Sequence, residues 1–163
     1  MSGELVNESS AGVAEEVPLT GGNVSTVVRV GNTVRRNAGP WTPAVHSLLH
    51  HLESVGFTGA PRTYGFDEQG REVLEFVEGE CGEYPLAGHW TTDEALVTVA
   101  TMLRMFHDAQ LGFVTPHDTQ WRSLGPPPPD TEVVCHHDAA PHNVVWRPDG
   151  TLCMIDFDLA SPG

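Results

Sequence analysis

Residues 135–146 read CHHDAAPHNVVW and gather one cysteine, three histidines, an aspartate and an asparagine within twelve positions. Two chemistries use such side chains. Cys135, His136, His137 and His142 are donors of the kind that bind zinc, whereas Asp138 and Asn143 offer hard oxygens that suit Mg²⁺ or Mn²⁺. Zinc ligands usually come in pairs such as CxxC or HExxH, and neither spacing occurs here. Adjacent His136 and His137 would also point to opposite sides of an extended chain. The oxygen donors have a further partner in Asp156, within "MIDFD". Between them, Val144–Trp146 and Thr151–Ile155 read as two strands joined by "RPDG", with proline and glycine placed for a tight turn. Counting back from that turn sets Asn143 roughly opposite Asp156, and cross-strand neighbours lie about 4.5–5.5 Å apart. Two carboxylates and an amide oxygen at one hairpin mouth suit phosphoryl transfer. Divalent ions neutralise the phosphate oxygens there, and a free carboxylate accepts the proton of the attacking hydroxyl. For these side chains merely to decorate a turn, Asp138, Pro141, Asn143 and Asp156 would all have to coincide by chance.

The elements that must hold this hairpin follow an α+β order. "EEVPLTGGNVSTVVRVGNTVRR" has short β-branched runs divided by Gly-Gly and Gly-Asn, which predicts strands near 16–19, 25–30 and 33–36. "WTPAVHSLLHHLESVGF" predicts a helix capped by Thr42, with Pro43 at its first position and Gly56 at its end. Val45, Leu48, Leu49, Leu52 and Val55 make its apolar stripe, while His46, His50 and Glu53 fall on or near the other face, in solvent. "RTYGFDEQGREVLEFVEGE" predicts a hairpin turning at Asp67–Gly70 into a strand Glu72–Val77. A second helix runs through "TTDEALVTVATMLRMFHDAQ", capped by Thr92, with Leu96, Val99, Ala100, Leu103 and Phe106 toward a core. Val133–Cys135 reads as a buried strand, and Pro126–Pro129 as a stiff extended connector.

Composition limits the partners. The net charge is −14 and all eight basic residues are arginine, so binding DNA or RNA through phosphates is excluded as a main role. An anionic nucleotide would need a local arginine, backbone N–H groups or a cation. Residues 1–15 read as a flexible acidic leader without signal-peptide character, no apolar run approaches a membrane span, and three cysteines without CxxC spacing suit reduced thiols. A cytoplasmic protein is the expectation.

The stretch "HHDAAPHN" followed by "IDFD" resembles the H-x-D-x-x-P-x-N catalytic loop and the metal-binding I-D of the aminoglycoside phosphotransferase and choline kinase superfamily, relatives of the protein kinases. The resemblance runs from about Val17 to Gly163. It implies a protein-kinase-like bilobal fold: an N-terminal lobe of antiparallel sheet plus helix over 16–80, and a partial helical C-terminal lobe over 81–163 carrying the catalytic hairpin. It further implies Asp138 as catalytic base, His136 as the brace of the loop, Asn143 and Asp156 as Mg²⁺ ligands, with Asp158 a weaker match. ATP or GTP is the implied nucleotide, and a small-molecule hydroxyl the acceptor. "LTGGNVSTVVRV" would cover the phosphates. "TVRR" stands where the family has its strand lysine, so Arg35 or Arg36 would supply that charge. "LEFVEGE" resembles the hinge, where the backbone of Glu75 and Val77 would meet adenine. Glu75, Glu78, Glu80 and Glu83 beside it read first as a solvated acidic loop.

Two departures from the family are visible. The helix after "TVRR" has no glutamate near Val45 or His46, so the family's Lys–Glu ion pair is expected to be missing. The family's later C-terminal helices have no counterpart, which implies a fragment, a naturally truncated copy, or a protein whose truncated lobe a protein partner would cover. The alternative to a phosphotransferase is a catalytically impaired kinase-like module that binds a nucleotide or a protein.

Overall fold

The computed structural model describes residues 15–19, 27–122, 125 and 133–163. Five short strands form the first sheet: β1 (Val17–Pro18), β2 (Val28–Val30), β3 (Thr33–Arg36), β4 (Thr63–Phe66) and β5 (Glu72–Glu75). Their spatial order is β1-β2-β3-β5-β4, antiparallel throughout. Each turn follows from sequence. Gly31 adopts φ 61° between β2 and β3, and Gly70 adopts φ 75° after Asp67, whose carboxylate accepts from the backbone of Gln69 and Arg71. The expected phosphate-covering stretch falls mostly at 20–26, outside the described residues, as do the leader up to 14 and Pro126–Pro129.

Between β3 and β4 runs α1 (Thr42–Ser54), which packs Val45, Leu48, Leu49 and Leu52 into the core. Its start differs from expectation. Trp41 occupies the cap position without a side-chain hydrogen bond, because the Thr42 hydroxyl instead accepts from Gly39 N–H at 2.9 Å. Its end is as read: Gly56 takes φ 78°, its N–H donates to Glu53 O, and Phe57 N–H reaches back to Leu52 O. Val55, counted in the apolar stripe, lies beyond that end and is exposed.

After β5 the chain crosses to β6 (Glu80–Cys81), then to α2 (Asp93–Asp108), which the Thr92 hydroxyl caps by accepting from Ala95 N–H. The helix buries Ala95, Met102 and Phe106, with Val99 and Leu103 half-buried. Leu96 and Ala100, expected in the core, point outward, and Leu96 is 69% exposed. An apolar stripe wider than the packed face fits more than one rotation of a helix, and here the contact with the hairpin decided it.

Three short strands finish the described core: β7 (Val134–Cys135), β8 (Val144–Trp146) and β9 (Leu152–Met154), followed by β10 (Ser161–Pro162) pairing back on β7. β6 pairs with β8, and β8 with β9. Gly79, at φ 151°, makes the first pairing possible, since a Cβ there would collide with the Trp146 carbonyl oxygen. Behind the hairpin, Met154 N–H donates to Gly59 O at 2.9 Å and Arg147 Nη1 to Thr58 O at 2.8 Å. The loop after α1 is thus clipped to the β8–β9 hairpin. Phe106, Met154 and Phe157 lie in one apolar cluster with the α1 leucines, which joins the two halves of the molecule. Among the described residues, no helix is long and apolar enough to cross a membrane.

Candidate active site

The loop between β7 and β8 begins with His136, which is 2% exposed. Its Nε2 lies 3.0 Å from the Ile155 carbonyl, which can only accept, so Nε2 carries the hydrogen. Nδ1 then accepts from the Asp138 N–H at 3.3 Å. Burial holds the His136 imidazole below its usual pKa, although the Ile155 carbonyl and Asp156 pull the other way. This neutral ring ties Asp138 to the strand that leads into Asp156. The Phe157 ring stands 4.5 Å from it, edge-on, and fixes its plane.

Asp138 and Asn143 close the loop on themselves. Asn143 Nδ2 donates to Asp138 Oδ2 at 2.9 Å and to its carbonyl at 3.0 Å, while Asn143 N–H donates to Ala140 O. Pro141 starts a single 3-10 turn that brings Asn143 round, and Gly82 N–H donates to the Pro141 carbonyl from outside. With Nδ2 spent on Asp138, Oδ1 is the side-chain atom of Asn143 outside these contacts.

The register differs from the count made on sequence. Val144 pairs with Met154, and Ile155 N–H donates to Asn143 O, so Asn143 faces Ile155 and not Asp156. The turn is the cause: Arg147 pairs with Thr151, leaving a three-residue loop with Gly150 at φ 84°, one residue longer than a two-residue turn. Asp156 follows just outside the ladder with φ 61° and ψ 64°, a left-handed conformation uncommon for a non-glycine residue.

The first sheet meets this loop through one side chain. Arg36 Nη1 lies 2.6 Å from Asp156 Oδ1, and its Nη2 lies 2.6 Å from Asp158 Oδ1. Its Nε pairs with Glu72 Oε1, and Glu72 Oε2 lies 3.1 Å from His46 Nε2. Burial alone would lower the Arg36 pKa, but Glu72, Asp158 and Asp156 together raise it above its usual value. Arg35 faces away, toward the Thr33 hydroxyl and Asp67. Consecutive strand residues point to opposite faces, so only one of the two arginines could reach Asp156 and Asp158. Asp158 is pushed up by burial against the pull of Arg36, and Arg122 approaches it at 3.7 Å while lying over the Trp41 ring.

The ion pair expected to be missing is therefore present in another form. Its acid is Glu72 on β5, not a residue of α1, and His46, expected in solvent, is buried against it. Sequence reading missed both. The available signal was an acid at the head of an otherwise apolar run, "EVLEF". At the expected hinge, the Glu75 N–H already donates to Arg62 O at 2.8 Å, which takes that donor away from a bound base. Val77 follows β5, half-buried and outside the ladder.

Among the described residues no group of three or more His, Cys, Asp or Glu side chains is placed to hold a metal ion. Cys135, His136, His137 and His142 do not converge: His136 turns to Ile155, His137 to the Ser161 carbonyl, and His142 is exposed. The oxygen set fits a hard cation better. Asn143 Oδ1 and the Asp156 carboxylate, 45% exposed at its side chain, are oxygen donors of the kind a hard cation takes.

Comparison with known proteins bears on family and fold. Residues 114–163 match the phosphotransferase enzyme family. Over 155 residues the chain is 41% identical to a trifolitoxin immunity protein of Rhizobium leguminosarum bv. trifolii, covering 91% of this chain and 57% of that one. The chain thus spans little more than half of that relative's length. A choline/ethanolamine kinase family protein from Mesorhizobium loti superposes with a TM-score of 0.60 at 15% identity, over 93% of this chain and 60% of its own. An aminoglycoside phosphotransferase from Alicyclobacillus acidocaldarius gives 0.60 at 15% identity, over 100% and 69%. At such identities the structures establish the fold, which is protein-kinase-like.

Proposed function

We propose that this chain, which resembles the aminoglycoside phosphotransferase and choline kinase-like superfamily, transfers the terminal phosphoryl group of ATP or GTP to a hydroxyl of a small molecule. The observation that carries this reading is the meeting of Arg36, from the first sheet, with Asp156 and Asp158, beside the closed Asp138–Asn143 loop. Asn143 and Asp156 would hold Mg²⁺, which when bound neutralises the phosphate oxygens. Asp138 would take the proton of the attacking hydroxyl, its Oδ2 oriented by Asn143 and its backbone by His136. Arg36 would face the nucleotide phosphates in place of a lysine; its planar fork can serve two partners at once, as it does with Asp156 and Asp158. Val77 would offer the backbone contact to the base. The protein would act in the cytoplasm.

A second reading comes from the relative named as an immunity protein. There the chain protects a cell against a toxin, as a kinase-like module that binds a nucleotide or a protein without turnover. Calorimetry with Mg·ATP separates the possibilities. Wild type is expected to bind, and Asp156→Ala to bind at least tenfold more weakly. Binding by neither rejects the nucleotide site. Binding by wild type with no phosphate transfer to any of a panel of hydroxyl compounds favours the binding module.

A further inference from the structure

We infer that Glu72, supported by His46, is the positioning residue that sets Arg36 against Asp156 and Asp158. This rests on the reading of the cleft as a nucleotide site. Arg36 and Glu72 are direct partners in the β3–β5 ladder. Backbone hydrogen bonds therefore fix where the carboxylate starts, with paired Cβ atoms about 4.5–5.5 Å apart. A glutamate borne on a helix would depend on how that helix docks.

The guanidinium meets three carboxylates: Nη1 and Nη2 donate to Asp156 and Asp158, and Nε faces Glu72 as an ion pair without hydrogen-bond geometry. With the Glu72 carboxylate fixed beside Nε, turning the planar group would break the Nη1 and Nη2 contacts. The two oxygens of Glu72 are divided in the same way, Oε1 to Arg36 and Oε2 to His46. His46 reaches in from α1, with its ring 5.1 Å from Phe66. The relay thus runs from α1 through His46, Glu72 and Arg36 to Asp156.

Charge balance argues that Glu72 serves orientation. Asp156 and Asp158 already supply more negative charge than one guanidinium neutralises. A third carboxylate, 1% exposed, adds to that excess, so charge neutralisation alone does not call for it. What an apolar side chain would lack is a negative charge beside Nε.

The test uses the whole protein and begins without nucleotide. In ¹⁵N–¹H spectra of the arginine side chains, Arg36 is expected to give an Nε–H signal strongly protected from exchange, identified by its loss in Arg36→Lys. Glu72→Gln is expected to lower that protection at least tenfold while circular dichroism stays native. In the same variant Mg·ATP affinity is expected to fall about tenfold. A folded Glu72→Gln whose Arg36 signal is as protected as in wild type overturns the inference, as does unchanged affinity where wild type binds. If Glu72→Gln does not fold, His46→Gln carries the test, with an expected threefold loss of protection; an unchanged signal overturns the relay. Should wild type bind no nucleotide, the proposed function fails, and the arginine signal alone decides the place of Glu72.

Discussion

Arg36→Met removes a cation that touches three carboxylates. The exposures decide how much each contact matters. Arg36 and Glu72 side chains are 10% and 1% exposed, so water screens little between them. Asp156 and Asp158 are 45% and 24% exposed and recover much of their hydration when Arg36 is lost. Removing one partner of a buried pair costs about 3–5 kcal/mol, because the other charge stays behind. The partly solvated contacts contribute on the order of 0–1 kcal/mol each. The single substitution should therefore cost roughly 3–5 kcal/mol, nearly all of it through Glu72, against a total stability of about 5–15 kcal/mol. At ~2–4 °C per kcal/mol, the melting temperature falls by roughly 6–20 °C. The double substitution Arg36→Met, Glu72→Met removes both charges and should return to wild-type stability or exceed it by up to about 4 kcal/mol. Urea unfolding followed by tryptophan fluorescence, for wild type, both singles and the double, gives the coupling energy directly. A single Arg36→Met within about 1 kcal/mol of wild type, or a double as unstable as the sum of its singles, would refute the account of the pair.

Two further substitutions probe the frame around the site. Gly79→Ala combines a φ of 151° with a collision against Trp146 O, and should cost at least roughly 1–3 kcal/mol in thermal melts. Gly88→Ala, where a Cβ meets nothing within 4 Å, should stay within about 0.5 kcal/mol. Cys153 supplies the pH test: burial pushes its thiol up to about 12 from 9.0. Between those values the unfolded chain gives up a proton that the folded chain keeps. Stability therefore falls as pH rises through that window, by up to ~1.4 kcal/mol per pH unit, and Cys153→Ala removes that part of the slope in urea midpoints at pH 8 and pH 10.

Local rules served well wherever a single segment decides its own conformation. The turn at Asp67–Gly70, the cap at Thr92 and the stop at Gly56 each depend on residues within a few positions, and each is where the sequence placed it. Counting across a turn served less well. "RPDG" reads equally as a two-residue or a three-residue loop, and the extra residue moved Asn143 from Asp156 to Ile155. Helix faces failed where apolar residues ran wider than the packed stripe, as at Leu96 and Ala100. His46 failed for a related reason, since its partner lies 26 residues away on another element.

By itself the sequence determined the chemistry on offer: an aspartate, a proline and an asparagine at fixed spacing, a second aspartate beyond a hairpin, arginine as the only strong cation, and the kinase-like family that this pattern resembles. Those features are identities and short spacings, which the chain carries before it folds. Tertiary structure alone decided which arginine reaches Asp156, and that its buried acid is Glu72 on a neighbouring strand, backed by a histidine from α1. Charges find partners through strand register and helix docking. Both are set by burying the apolar faces of distant segments, and neither is written in the spacing of the charged residues themselves.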